Sequence, residues 1–157
     1  MNDEAVVRYA TAKEYVEAIK LIITSPHYIG KHMMIAVRPT HLLAGFATEL
    51  YLKAWLLADG VSSKDVQKHG HKLLDLHADA VARGFSTNSG IDALVSNLAE
   101  PHGQNKDYVF RYTHTDAKIT PLAWDYALIV FDSLDVIVDA HVGASVSYGL
   151  KPKAIYS

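Results

Sequence analysis

The 157-residue sequence predicts an all-α protein, an antiparallel up-and-down bundle of four to five helices in one domain. Apolar residues recur at three- and four-residue spacing in several long segments, no strand series is evident, and most connections are short. The stretch Pro39 to Gly60, PTHLLAGFATELYLKAWLLADG, is the longest such segment and organises the rest. His41, Gly45, Thr48, Glu49 and Lys53 form its one polar band. A helix this apolar is covered on most sides, since each large side chain it buries contributes roughly 1.5–3 kcal/mol.

The elements follow in order. Thr11-Ala-Lys-Glu14 reads as a capping box at the start of the first helix, with Tyr15, Val16, Ile19 and Ile23 behind it on one face. Ser25-Pro26 ends that helix, because a residue before proline avoids helical geometry. Residues 27–38, interrupted by Gly30, suit either an extended connector carrying Met33, Met34 and Ile35 or a short extra helix. Thr40 is the expected cap of the central helix and Asp59-Gly60 its close. Ser62 caps a helical turn to Lys68, and the junction His69-Gly70-His71 leads to a helix from Lys72 to Arg83. Asn88-Ser89-Gly90 introduces a shorter helix that Glu100-Pro101 ends. Residues 101–120 then form the longest irregular stretch, a length often associated with function. Thr120-Pro121 opens the last long helix, running to Ala140. Its carboxylates Asp125, Asp132, Asp135 and Asp139 read as a solvated face, and residues 143–157 as an irregular tail.

Composition excludes several classes. Fifteen basic against seventeen acidic residues give a net charge of −2, so no basic footprint advertises nucleic acid; nonspecific affinity for a phosphate backbone and DNA are not expected, while a small local site stays open. The absence of cysteine removes disulfides and thiolate metal sites. The segment MNDEAVVRYA lacks the basic and apolar regions expected of a signal peptide, and no apolar run is long enough for a membrane span to be expected. A cytoplasmic setting is expected.

The block LLAGFATELYLKAWLLADG, followed by HGHKLLDLHADAVARGF, resembles the HEPN family of small helical bundles. The anchors are Ala47, Glu49, Leu50, Leu52, Lys53, Ala54, Gly60, His71, Leu73 and Leu76, together with the later aromatic–Arg–Tyr segment Tyr108 to Tyr112. The resemblance implies a dimeric bundle connected with RNA cleavage, nucleotide-linked reactions, or toxin–antitoxin and phage-defence systems. Catalytic members carry an Arg followed, after four to six intervening residues, by His. Arg8, Arg38, Arg83 and Arg111 all lack that spacing, and Arg111 and His114 are only its shortened counterpart.

Glu49 and Lys53, four apart on the central helix, are the first candidates for a polar site, with His71 and Arg111 as expected companions. Arg suits phosphate because its planar fork gives parallel charge-assisted bonds, and Tyr112 beside it offers a ring on which a base can stack. His69 and His71, with His102 or His114, are the residues a metal would use, but they lack ligand spacing on a helix, and no cofactor is expected. The leading expectation is a homodimeric binding or regulatory module. It would contact RNA, a nucleotide or a partner protein through Glu49, Lys53, His71, Arg111, Tyr112 and His114. The alternatives are a metal-independent ribonuclease using Arg111 and His114, and a purely structural assembly subunit.

Overall fold

The computed structural model describes residues 2–26, 37–106, 108–112 and 119–148, and within these the chain is all-helical. The helices are α1 (Asp3–Ile23), α2 (Val37–Ala58), α3 (Ser63–Lys68), α4 (Leu73–Ala82), α5 (Ser89–His102), α6 (Trp124–Val142) and α7 (Ala144–Tyr148). α2 is the hub: it packs along α1 and also touches α3, α4, α5 and α6. Tyr9, Tyr51, Leu52, Leu56, Phe131 and Leu134 are fully buried in one continuous core. No described helix is long and apolar enough to cross a membrane.

Helix starts depart from expectation in α1, α2 and α6. α1 begins at Asp3, capped by Asn2, whose side chain accepts from the amides of Glu4 and Ala5. Thr11 is therefore an interior residue, and its hydroxyl donates to the Val7 carbonyl, as mid-helix threonines do. α2 likewise begins ahead of Thr40, which donates back to the Val37 carbonyl instead of capping. Pro121 does not open α6. The preceding chain is held by the Leu122 amide, which donates to His41 Nε2 at 3.1 Å, and the helix begins at Trp124.

Two further corrections bear on the site and its surroundings. α5 continues through Pro101 to His102, since a proline in a last turn removes one bond without stopping the helix. The last-helix carboxylates are not all solvated: Asp135 and Asp139 are buried. Asp135 receives Lys13 Nζ on both oxygens, at 2.8 and 2.9 Å, and the Tyr51 hydroxyl at 3.0 Å. Asp139 accepts the amide and the hydroxyl of Ser145, and so holds α7, which lies in the segment expected to be irregular. Residues 27–36, including Gly30, Met33, Met34 and Ile35, lie outside the described residues, as do residues 149–157.

Candidate functional site

The polar band of α2 faces inward: His41, Thr48, Glu49 and Lys53 are all buried. Glu49 is the centre of what it meets. Its Oε1 accepts Lys53 Nζ at 2.6 Å, and its Oε2 accepts both His71 Nδ1 at 2.9 Å and His102 Nε2 at 2.7 Å. Burial alone would raise this carboxyl. The hydrogen bond from His102 and the charge and hydrogen bond of Lys53, with His71, reverse the balance and hold it down to about 2.

Each partner is positioned by its own element. Lys53 also donates to the Gly70 carbonyl at 2.7 Å, which fixes the junction carrying His71. His102 occupies the last turn of α5 and lies directly on the backbone of α2 at Gly45. A Cβ there would stand 2.8 Å from the His102 Cγ, so only glycine admits the ring. Burial pushes the His102 imidazole below its ordinary value, against the raising effect of Glu49. Its Nδ1 is buried without a hydrogen-bond partner among the described residues.

Arg111 completes the group. Its guanidinium lies 4.9 Å from the centre of the Phe46 ring and 5.0 Å from that of Tyr108. Nη1 is 3.4 Å from His71 Nε2, while Nε and Nη2 are covered and have no hydrogen-bond partner among the described residues. The loop carrying it is held by distant contacts. Arg38 Nη1 donates to the Val109 carbonyl at 3.0 Å, and Gln104 Oε1 accepts the Leu74 amide at the start of α4 at 3.0 Å. Lys106 and Tyr108 adopt left-handed φ values of 66° and 49°, a strained backbone for residues with side chains. Gly103 gives Tyr108 room, because a Cβ there would meet its ring at 2.6 Å.

Elementary chemistry assigns the protons. A carboxylate only accepts, so His71 Nδ1 and His102 Nε2 carry hydrogens. A guanidinium only donates, so His71 Nε2 is the lone pair facing Arg111. One carboxylate then faces one ammonium and one guanidinium, which leaves a surplus positive charge on the Arg111 side. Glu49, His71 and His102 also present ligand atoms within 4.8 Å of one another, a geometry a divalent cation can use. Three features oppose that use. Lys53 and Arg111 set positive charges beside the ion, and the proton on His71 Nδ1 occupies the atom that would ligate. His102 Nδ1 also lacks the outer acceptor that metal-bound histidines commonly have.

Of the residues singled out from sequence, Glu49, Lys53, His71 and Arg111 come together. Tyr112 stands apart, 62% exposed, with its ring 6.3 Å from that of Tyr108. His114 lies outside the described residues. Phe46 was not singled out, and from sequence His102 was named only as a metal companion of His71, Tyr108 only within the aromatic–Arg–Tyr segment and Gly45 only in the polar band. The glycine at the middle of α2 was the one local sign, since an interior helical glycine often marks a close approach. No family model, no curated protein and no solved structure matches the chain.

Proposed function

We propose that this chain is a HEPN-like, up-and-down helical bundle acting as a binding or regulatory module for a phosphate-bearing ligand, RNA or a nucleotide. One observation carries the reading: Arg111 is held between two aromatic rings, with two guanidinium nitrogens that have no hydrogen-bond partner among the described residues. Unsatisfied buried donors cost about 1–3 kcal/mol each, and more when charged. An anion that draws the guanidinium toward it recovers that cost, and a planar fork is well suited to phosphate oxygens. Exposed Tyr112 adds a ring against which a base can stack. Homodimer formation and a cytoplasmic defence or toxin–antitoxin setting belong to the same reading. Titration of labelled single-stranded RNA and of a nucleotide into the wild type and Arg111→Ala tests it. Saturable binding that the substitution removes supports the module; no binding of either ligand refutes it.

A second reading, a metal-independent ribonuclease, is favoured by one feature. The unprotonated His71 Nε2 stands beside the Arg111 cation, so a proton acceptor and an anion stabiliser are adjacent. Incubating RNA with the protein in a chelator, then repeating with Arg111→Ala, His71→Ala and His114→Ala, separates the two readings. Cleavage by the intact protein that depends on Arg111 supports the enzyme; intact RNA after prolonged incubation eliminates it.

A further inference from the structure

We infer that the outer face of α6, with the groove it forms against α5, docks an amphipathic helix of a partner protein that carries lysine or arginine beside its apolar stripe. The docking face uses no residue of the group around Glu49 and Arg111, and so stands apart from the phosphate-binding reading.

The apolar pattern comes first. α6 turns Ala127, Val130, Phe131, Leu134 and Val138 into the core, yet its outer side is not the polar surface of an ordinary amphipathic helix. Tyr126, Ile129, Ser133, Val136 and Ala140 recur there at three- and four-residue spacing, the kind of seam a second helix packs against. Tyr126 is 56% exposed, Ile129 62% and Val136 41%. Ser133 does not interrupt the stripe, because its hydroxyl donates to the Ile129 carbonyl at 3.2 Å and needs no further partner. At the start of α6 the stripe runs into a cavity of about 140 Å³, lined by Ala93, Leu94 and Asn97 of α5 and by Leu122, Tyr126 and Ala127. A branched apolar side chain of a docked helix can enter it. An exposed apolar face continuous with a groove marks an interaction surface, where single scattered residues would not.

The charges select the partner. Asp125 and Asp132 each precede a residue of the stripe and so share one flank, Asp125 exposed and Asp132 half-buried. Across the groove, exposed Glu100 continues the α5 row of Ala93 and Asn97 at helical spacing. Neither α5 nor α6 contains a lysine or an arginine. Lys20, which shares a small cleft with Asp132, is bonded to Glu17 at 2.9 Å. The face is therefore rimmed by carboxylates on both sides. A second copy of this chain would set a second acidic rim against the first, and an anionic membrane or a nucleic acid would be repelled in the same way. A cationic amphipathic helix matches both the stripe and the rim. The 19 residues of α6 extend about 28 Å, enough for a partner helix of about five turns.

Titrating the full chain into labelled synthetic peptides of about 18 residues tests this. One carries leucine at three- and four-residue spacing with lysine on the flanks. A second has glutamate in place of lysine, and a third is a scrambled leucine–lysine peptide of equal charge without the stripe. The expected result is saturable binding of the first, at least about tenfold tighter than of either control and weakened by salt. Ile129→Ser should weaken it about tenfold, and Asp125→Asn with Asp132→Asn should flatten its salt dependence. Leu74→Ser, at another exposed apolar position on α4, should leave it unchanged. If Ile129→Ser does not fold, the comparison of peptides on the wild type still decides. No saturable binding of the first peptide, equal binding of either control, or binding untouched by Ile129→Ser overturns the inference. A wild-type dimer that Ile129→Ser dissociates in sedimentation would place a second copy on the face. Binding to anionic lipid vesicles that the same variant loses would place a membrane there. Either result overturns the inference.

Discussion

Glu49 Oε2 and His102 Nε2 stand 2.7 Å apart, both residues buried, and the contact exists because residue 45 has no side chain. A single glycine on α2 therefore lets a histidine from the last turn of α5 reach a carboxylate one turn further along α2. Gly45→Ala should cost about 1–3 kcal/mol, the usual range for overpacking a filled site. The midpoint of urea unfolding would register this. An alanine variant as stable as the wild type would show that His102 has another place to go.

Buried histidines predict an acid-side loss of stability. Burial lowers His41, His77 and His102 relative to the ordinary value of 6.5. The unfolded chain then binds protons before the folded one does. The stabilisation is present above about 6.5 and is lost as pH falls below it toward the lowered folded values. For His41 the cause is burial, opposed by the bond its Nδ1 donates to the Val37 carbonyl, and a proton on Nε2 would also displace the Leu122 amide. Thermal unfolding followed from pH 8 to pH 5 should show the decline, reduced in His41→Gln. A flat profile would contradict the burial assigned to these rings.

Glu49 contributes at a lower pH. With its folded value held at about 2 against an ordinary 4.5, its stabilisation is present above about 4.5 and lost as pH falls through the folded value. Glu49→Gln should make this part of the acid profile shallower. It should also cost about 3–5 kcal/mol at neutral pH, because Lys53 is left buried without its carboxylate. A neutral-pH stability equal to the wild type would show that Lys53 moves to solvent.

The second buried ion pair, Lys13 with Asp135, joins α1 to α6. Asp135→Ala should destabilise by about 3–5 kcal/mol, whereas Lys13→Met with Asp135→Leu should lie much closer to the wild type. A double variant no more stable than the single one would show that the polar contacts of Tyr51 and its neighbours carry the joint.

Periodicity made the helical class and the central place of α2 legible, because an apolar helix has to be covered by its neighbours. The grouping of Glu49, Lys53, His71 and Arg111 was foreshadowed by one polar band on an otherwise apolar helix. What escaped the sequence depends on distant partners. Thr11 has the form of a capping residue, yet Asn2 caps α1, its side-chain nitrogen donating to the Leu57 carbonyl at 2.9 Å. Asp135 has the spacing of a solvated carboxylate, yet Lys13, 122 residues earlier in the chain, meets it in the core. His102 was named only as a possible metal companion of His71, and its contact with Glu49 was hidden because Pro101 reads locally as a helix end and is only its last turn.

The central claim is that Arg111 receives a phosphate oxygen. Its most direct test is the affinity of a 5′-phosphorylated single-stranded RNA for the wild type and Arg111→Ala, measured at two salt concentrations. Saturable binding by the wild type, weakened at least about tenfold by the substitution and by added salt, is the predicted result. Equal binding by the two proteins, or none by either, would contradict it.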